Sequence, residues 1–343
     1  MQKTKRKGKF ILYGPNVHNG GGLVLLQDLL KVNRISIQNA FLSLRAKDQL
    51  ILPKGTQINY IKGLFSRIKG EWSLKKLCTA KDITLCFHGV PPLFSIPGKV
   101  VVFAQNRLIF EKGSLCQYDF KTRLRLHLER FWIKLTHKSS IQYIVQTPSM
   151  ASSLKQQLGA DCHLRIVPFM ETKAEKIPSK STRYDFIYIA SGEPHKNHHT
   201  LIKAWEILGK QGLKPSLAIT IDPHVFPNLI KILEKAKLSF HLNMTNLGVV
   251  PHEEVKSLYA SSGALIFPSS LESLGLPLIE ASQYGLPIIA SEKDFVRDSV
   301  NPTETFDPSS PVSIARAVRR FMKKPEPSQK IQSAFDFLKE VNK

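Results

Sequence analysis

Short apolar runs rich in β-branched residues recur along the whole chain, with longer amphipathic stretches between them. Runs of this length are typical of strands buried on both faces, and the stretches between them have the spacing of helices. The alternation therefore predicts an α/β architecture with parallel sheets. In the first half the predicted strands are 9–14, 40–44, 83–87, 100–103, 143–146 and 164–167, with helices at 22–32 and 149–158 among others.

A polar segment at residues 171–183 interrupts this alternation and has the composition of a linker. With 343 residues the chain is long enough for two domains, which we expect at 1–172 and 173–343. Both should be Rossmann-like and doubly wound, so that the carboxyl ends of their strands meet at a shared cleft. Beyond the linker the predicted strands are 184–190, 216–220, 244–247, 264–267 and 287–290, and a last helix at 329–341 closes the second domain or packs back on the first.

The charge of the chain is its one unusual bulk feature. Lys and Arg number 49 against 27 Asp and Glu, a formal net charge of +22. Nucleic acid, an acidic membrane surface and a phosphorylated substrate would each satisfy this charge. No run approaches the roughly 18 apolar residues of a membrane span. We therefore expect a cytoplasmic protein, either in solution or peripheral on the inner face of the cytoplasmic membrane.

The segment 268–291 carries the strongest chemical signal. It follows an apolar strand and has the pattern polar loop, helix, strand. A helix that begins near Gly275 would turn its N-terminus toward an anion such as a pyrophosphate, and Glu280 could accept hydrogen bonds from sugar hydroxyls. For an isolated pair of glutamates the alternative is that Glu272 only complements the helix dipole and Glu280 is a solvated helix residue.

Nearly all of this segment resembles the nucleotide-sugar signature of retaining glycosyltransferase family 4, in which seven residues separate two glutamates, as they separate Glu272 and Glu280. The resemblance implies the GT-B fold, two Rossmann-like domains facing a cleft. It also implies that Glu272 and the backbone of Ser273, Leu274 and Gly275 meet the sugar and phosphates of the donor. Glu280 would contact the ribose, and Glu272 would be one of two catalytic residues.

A second loop, between the first strand and first helix of the second domain, contains the other predicted catalytic residue, Lys196. A lysine near a helix start can neutralise a departing phosphate, although most such lysines are simply solvated. The family carries a lysine-asparagine or lysine-glycine pair here, so the resemblance assigns Lys196, Ser191 and His195 to the donor. The arginine that the family usually has a few residues earlier is absent, and His195 or Arg107 is a candidate to replace it.

Three glycines, Gly20, Gly21 and Gly22, join the first strand to the first helix. Glycines let a backbone approach a ligand closely, although a cluster of them also fits a flexible turn. In the family a glycine pair in this loop faces the donor across the cleft. The resemblance therefore assigns the three glycines to donor binding and places Asn16 and His18 beside the acceptor.

Polar side chains also follow two later strands of the first domain. His88 follows one of them, and Asn106 and Arg107 follow the next. The resemblance places all three on the acceptor side, and the alternative is that they pack the loops. We assign none of them as a general base.

Two stretches of the first domain, 65–77 and 121–138, intersperse basic residues with leucine, phenylalanine and tryptophan at helical spacing. This composition suits a surface that lies on an anionic membrane. Ordinary amphipathic helices with a solvated face are the alternative.

Taken together, the resemblance implies a retaining hexosyltransferase of cell-surface polysaccharide or lipopolysaccharide biosynthesis that moves a sugar from a nucleotide-diphosphate sugar to a glycan, in particular a lipid-linked one. No Asp-x-Asp triplet occurs, so we expect transfer without a metal and without a further cofactor. A catalytically inactive nucleotide-sugar-binding subunit is one alternative, suggested by the missing arginine. A nucleic-acid-binding protein is the other, but no zinc-finger, helix-turn-helix or RNA-recognition pattern supports it, and no nucleic acid is expected as a partner.

Overall fold

The structure is a computed structural model that describes residues 8–32, 36–87, 89–111, 113–170 and 182–327. Within these residues the chain forms a sheet of seven strands and a sheet of six. The paired strands are parallel in both sheets. The predicted α/β architecture with two parallel sheets is therefore confirmed.

The strands are β1 (Phe10–Gly14), β2 (Ile37–Ser43), β3 (Gln57–Ile61), β4 (Ile83–Cys86), β5 (Lys99–Phe103), β6 (Gln142–Val145), β7 (His163–Ile166), β8 (Tyr184–Tyr188), β9 (Leu217–Ile219), β10 (Met244–Asn246), β11 (Ser262–Phe267), β12 (Ile288–Ser291) and β13 (Glu304–Phe306). The α-helices are α1 (Gly20–Lys31), α2 (Gly63–Leu77), α3 (Arg107–Phe110), α4 (Phe120–Thr136), α5 (Pro148–Leu158), α6 (His198–Lys210), α7 (Pro227–Phe240), α8 (His252–Ala260), α9 (Leu276–Gln283), α10 (Asp294–Arg297) and α11 (Pro311–Phe321). Short 3₁₀ helices lie at Leu44–Gln49 and Pro194–Lys196.

Both sheets are doubly wound. The strand order is β3-β2-β1-β4-β5-β6-β7 in the first and β10-β9-β8-β11-β12-β13 in the second. In each sheet the chain adds strands to one side and then returns to add strands to the other, so β1 lies beside β4 and β8 beside β11. A crevice opens beyond the carboxyl ends of the strands at such a switch point.

Two strands were not predicted, and both are edge strands. The side chains of β3 are largely exposed, and β13 has only three residues, so neither shows the apolar run that marks a buried strand. The predicted boundary lies between β7 and β8. The residues between these strands from 171 to 181, and the predicted helix at 329–341, lie outside the described residues.

Helix α4 buries only one side of its surface. Leu126 and Ile133 are fully buried and share a core with Leu74 of α2 and Tyr143 of β6. The side chain of Leu124, half a turn away, is 49% exposed. No helix within the described ranges has both the length and the apolar composition to cross a bilayer.

We predict that Leu126→Ala lowers the free energy of unfolding by about 2–5 kcal/mol, because it empties a closed position of the core. Leu124→Ala is the matched control on the same helix and should stay within about 0.5 kcal/mol of the wild type, since its side chain contributes little to the core. Chemical denaturation of both variants measures the difference. Equal losses in the two variants would contradict the assigned orientation of α4.

Candidate active site

A cavity of about 490 Å³ lies between the two domains. The loops that follow β1, β5 and β6 line it from the first domain, and those that follow β8 and β11 line it from the second. The predicted site residues in its wall are Asn16, Gly20, Gly21, Gly22, Asn106, Arg107, Ser191, His195, Lys196, Glu272, Ser273, Leu274, Gly275 and Glu280. His18 is not in this wall, and His88 lies outside the described residues.

The two predicted catalytic residues form an ion pair in the cavity. Lys196 Nζ lies 2.6 Å from Glu272 Oε1, and the side chains are 18% and 12% exposed. Their common position was predicted only through the family resemblance, since they lie 76 positions apart in the chain. A half-buried pair of this kind gives the cavity one cation and one carboxylate at hydrogen-bonding distance.

Hydrogen bonds join the two loops that carry this pair. Tyr188 Oη donates to the carbonyl of Lys196 at 2.8 Å, and the backbone N–H of Ser270 donates to the carbonyl of His195 at 2.8 Å. Asn197, which has a left-handed backbone with φ of 63°, donates its side-chain amide to the carbonyl of Pro268 at 3.1 Å. These hydrogen bonds position the loops of Lys196 and Glu272 together with the ion pair itself.

The loop around Ser191 is held by a buried histidine at the start of α6. His198 Nε2 lies 2.8 Å from the carbonyl oxygen of Ser191, and burial lowers the pKa of His198 to about 4. The imidazole is therefore neutral near pH 7, and Nε2–H donates to the carbonyl, which accepts.

Helix α9 begins in the cavity wall. Gly275 precedes it with φ of 75°, and a Cβ at this position would lie 2.8 Å from Leu278 Cδ1. The positive φ favours glycine at this position, and a larger residue would also have to displace the end of the Leu278 side chain. The positive end of the helix dipole, at Leu276, is thus open to an anion in the cavity. At the other end Gly285, with φ of 66°, follows the helix, where glycine is common.

Glu280 lies in the second turn of α9 and accepts a hydrogen bond from Tyr259 Oη at 2.9 Å through Oε2. Burial raises the pKa of Glu280, and the bond from Tyr259 opposes this rise. The tyrosine is itself buried, so it fixes the rotamer of the carboxylate. Glu280 is therefore a positioned hydrogen-bonding group in the wall rather than a solvated helix residue.

The glycine loop of the first domain comes very close to α9. A Cβ at Gly21 would lie 3.0 Å from Leu276 Cδ1, and one at Gly22 would lie 2.9 Å from Gln105 Oε1. A side chain at Gly21 would have to displace Leu276 on the opposite wall, and one at Gly22 would have to displace Gln105 of the same domain. These glycines therefore let the neighbouring side chains lie close to the loop, which is a more specific role than that of a flexible turn.

Arg107 reaches across the cleft from the first domain. Its Nη1 donates to the carbonyl of Glu272 at 3.3 Å, while its Nε pairs with Glu111 Oε2 at 2.8 Å. Nearby, Thr147 Oγ1 donates to the carbonyl of Ser273 at 2.9 Å, and the N–H of Ser149 donates to Asp298 Oδ2 at 2.9 Å. Hydrogen bonds from three side-chain or backbone donors of the first domain thus end on the second.

His195 and Arg107 are the two candidates to replace the arginine that is absent before Lys196. The partner of His195 is an uncharged side chain. Tyr118 Oη lies 3.1 Å from His195 Nδ1. Burial lowers the pKa of His195, and burial raises that of Tyr118 to about 12. The imidazole is therefore uncharged near pH 7, which leaves Arg107 as the cationic candidate of the two.

The predicted acceptor side is built around Asn16. Arg67 Nη1 donates to Asn16 Oδ1 at 2.8 Å, and the buried Glu71 holds Arg67 in place through Oε1 at 3.4 Å. His18 contacts this region through the carbonyl of Asn16, 3.0 Å from Nδ1. Asn106 accepts a hydrogen bond from the N–H of Leu108 at 3.1 Å, so its side chain caps α3.

Residues 169–335 match the family model described as Glycosyl transferases group 1. The second half of the chain thus contains a Glycosyl transferases group 1 domain. The first half lies outside the match, and the two halves together show the GT-B architecture.

Several characterised proteins are similar to this chain. The serotype-specific mannosyltransferase WbdA of Escherichia coli is 33% identical over 140 residues, which are 40% of this chain and 17% of WbdA. The O-antigen chain mannosyltransferase RfbU of Salmonella typhimurium is 25% identical over 174 residues, 48% of this chain and 45% of RfbU. The chain thus spans less than half the length of these relatives.

The fold also has a solved counterpart. The structure of Anabaena HepE in complex with UDP and glucose superposes with a TM-score of 0.66 at 14% identity, over 92% of this chain and 90% of HepE. At this identity the likeness concerns the fold alone. It confirms the GT-B prediction.

One residue of the wall that sequence reasoning missed is Gln146, which follows β6 directly. It is buried, and its Oε1 has no hydrogen-bond partner in the part of the chain that the structure describes. Gln105 and His252 also line the cavity and were not predicted. A polar residue at the carboxyl end of a buried strand was the available signal for Gln146, because such positions open onto the crevice of a parallel sheet.

We predict that His198 makes the protein less stable in acid. Its folded pKa of about 4 lies below the ordinary value of about 6.5, so the unfolded chain binds the proton first as the pH falls. The stabilisation is complete above about pH 6.5, and about 3 kcal/mol of it is lost as the pH falls to about 4.

Chemical denaturation of the wild type, His198→Gln and His199→Gln across this pH range tests the prediction. His199→Gln should follow the wild type because this neighbour is exposed, while His198→Gln should lose part of the pH dependence. The same slope in all three proteins would show that His198 does not titrate in this way.

Proposed function

We propose that the chain is a retaining glycosyltransferase that moves a sugar from a nucleotide-diphosphate sugar to a glycan without a metal ion. The observation that carries this proposal is the convergence of Lys196, Glu272 and the N-terminus of α9 on one cavity between the domains. The cavity volume of about 490 Å³ is in the usual range for small-molecule sites.

The donor diphosphate would lie at the N-terminus of α9, within reach of Lys196. Helix dipole and ammonium group both favour an anion there, and water is largely excluded from the half-buried pair. Glu280, oriented by Tyr259, would accept hydrogen bonds from the ribose hydroxyls. The glycine loop opposite leaves the backbone close enough to contact the donor.

Arg107 would replace the arginine that the family carries before its lysine. Its guanidinium lies in the cavity wall and already touches the carbonyl of Glu272. A guanidinium can bind a phosphate through two parallel hydrogen bonds. The second cation of the phosphate site would then come from the first domain, so that both domains would hold the donor.

In the reaction the acceptor oxygen would bond to the anomeric carbon as the bond from that carbon to the diphosphate oxygen breaks. Lys196, Arg107 and the helix N-terminus would stabilise the charge that develops on the diphosphate. Attack on the same face would retain the anomeric configuration, and the proton of the acceptor hydroxyl would leave with the diphosphate. Glu272 would lie beside the transferred sugar, and the cavity would align the two reactants.

The substrates are proposed from the relatives. WbdA and RfbU are described as mannosyltransferases, RfbU of the O-antigen chain, and a third relative, AmsD of Erwinia amylovora, as an amylovoran biosynthesis glycosyltransferase. We therefore infer a hexosyl donor, with mannosyl donors to be tested first, and an acceptor that is a growing cell-surface glycan linked to a lipid.

We predict that UDP, GDP or ADP, or a sugar conjugate of one of them, raises the melting temperature of the wild type with or without EDTA. Lys196→Ala and Arg107→Ala should each lower the affinity for this nucleotide by about 10-fold or more, because each removes a charged hydrogen-bond donor. Lys203→Ala, an exposed lysine on α6, is the matched control and should bind as the wild type does. Equal binding by all four proteins would place the nucleotide elsewhere.

We predict that Glu272→Gln keeps most of the nucleotide affinity but lowers the turnover number by about 100-fold, since the carboxylate acts on the sugar rather than on the base. Proton NMR of the product made by the wild type, with EDTA present, should show the same anomeric configuration as the donor. An inverted product would exclude retention. Binding without turnover of any donor would instead favour the inactive nucleotide-sugar-binding subunit.

A further inference from the structure

Helix α4 turns a row of large apolar side chains away from the protein. These residues are spaced four, four, three and four positions apart, which puts them on one side of a helix, and all are exposed. They are Phe120, Leu124, Leu128, Phe131 and Leu135. The core of the domain is on the opposite side, where Leu126 and Ile133 are buried. The row therefore contributes nothing to the fold that the structure describes.

Helix α2 has a second row of the same kind, formed by Leu64, Phe65, Ile68 and Trp72, all exposed. The two helices are neighbours in one layer, because the guanidinium of Arg67 on α2 stacks over Trp132 on α4 at 4.6 Å. We call the nine exposed side chains of these two rows the α2–α4 face. Large exposed apolar side chains in this number on neighbouring helices are typical of a binding surface.

Basic residues border the α2–α4 face. Its exposed cations are Lys62, Lys69, Lys75, Lys76, Lys121, Arg123, Arg125 and Lys134. The carboxylates within the two helices point away from it, since Glu71 is buried and Glu129 is half-buried, where burial raises the pKa of Glu129. Asp119, which precedes α4, is used as its cap and accepts a hydrogen bond from the N–H of Thr122 through Oδ1.

The charge of the whole chain is concentrated in the same domain. Residues 1–170 contain 27 Lys and Arg against 8 Asp and Glu, a net charge of +19. Residues 171–343 contain 22 against 19, a net charge of +3. The strong positive charge therefore belongs to the domain that carries the α2–α4 face and not to the donor-side domain.

We propose that the α2–α4 face docks on the surface of a lipid bilayer that contains anionic lipids. Leucine, phenylalanine and tryptophan on one side of a helix, with lysine and arginine along its borders, fit the boundary between acyl chains and negative headgroups. A second copy of the chain is a poorer occupant, because it would set one strongly positive face against another. Nucleic acid would satisfy the cations but would leave nine large apolar side chains without a partner.

This docking would place the acceptor side of the cavity next to the membrane. Helix α2 supplies both the outer row and Arg67, which donates a hydrogen bond to Asn16 in the cavity wall. If the proposed function holds, a lipid-linked acceptor could enter from the bilayer along α2, while a soluble donor enters the second domain. Only this consequence rests on the proposed function, because docking itself does not require transfer.

Flotation of the purified full chain with vesicles tests the proposal. The wild type should float with vesicles of phosphatidylcholine that contain about 30% phosphatidylglycerol and much less with phosphatidylcholine alone, and about 0.5 M NaCl should weaken the binding. Leu124→Ser/Leu128→Ser/Phe131→Ser and Lys121→Glu/Arg123→Glu/Arg125→Glu should each lower the partition coefficient by about 10-fold or more.

Matched controls on the second domain are Val225→Ser/Leu238→Ser/Val249→Ser, which removes equally exposed apolar side chains, and Lys203→Glu/Lys231→Glu/Lys235→Glu. Both should change the partition coefficient by less than about 2-fold, since these residues lie outside the face. All variants should keep the melting temperature of the wild type and its shift with nucleotide.

Three results would overturn the proposal. The first is a wild type that stays in solution with anionic vesicles. The second is that the variants of the face float as well as the wild type does. The third is that the serine variant loses a dimer of the wild type seen in size-exclusion chromatography, or loses the ability to retain an oligonucleotide. A nucleotide shift without flotation would reject only the docking. Flotation without any nucleotide shift would reject only the proposed transferase.

Discussion

Parallel pairing is the constraint on which the rest of this structure depends. Each strand must start again at the same edge of its sheet, so the chain returns through a helix and every strand ends at the opposite edge. Two such sheets, each wound in both directions from a central pair of strands, present two crevices. The loops that bear Asn16, Arg107, Lys196 and Glu272 all follow strand ends, and this is why residues far apart in the chain share one cavity.

Two cations of the cavity wall are paired with carboxylates in the structure. Lys196 is paired with Glu272, and Arg107 with Glu111. A partly buried cation without a partner would be costly, so each carboxylate offsets part of the cost of burying its cation. A diphosphate that enters must compete with Glu272 and Glu111 for hydrogen bonds from Lys196 and Arg107. The dipole of α9 also attracts the diphosphate, and neither ion pair opposes this attraction. Hydrogen bonds from the uncharged side chains of Tyr188 and Asn197 hold the loops that carry Lys196 and Glu272.

The interior strands, the α9 loop and the Lys196 loop could be predicted from sequence because their signals are local: an apolar run, a glycine before a helix, a motif of fixed spacing. The edge strands β3 and β13 lack such a run. Tyr118 reaches the cavity region only through tertiary packing, which no local pattern encodes, whereas Gln146 has a local signal in its place directly after β6. Helix α4 is instructive, since its sequence has apolar residues on two sides, and periodicity alone does not tell which side faces the core.

The hydrogen bonds between the domains end on a particular part of the second domain. Arg107 and Thr147 both donate to main-chain carbonyls of the loop that carries Glu272 and Ser273. If the domains separated, these carbonyls would lose their donors, so the shape of the loop and the closure of the cleft form one linked equilibrium. Linkage is reciprocal: whatever steadies this loop must also hold the domains together, and whatever closes the domains must steady the loop by the same free energy.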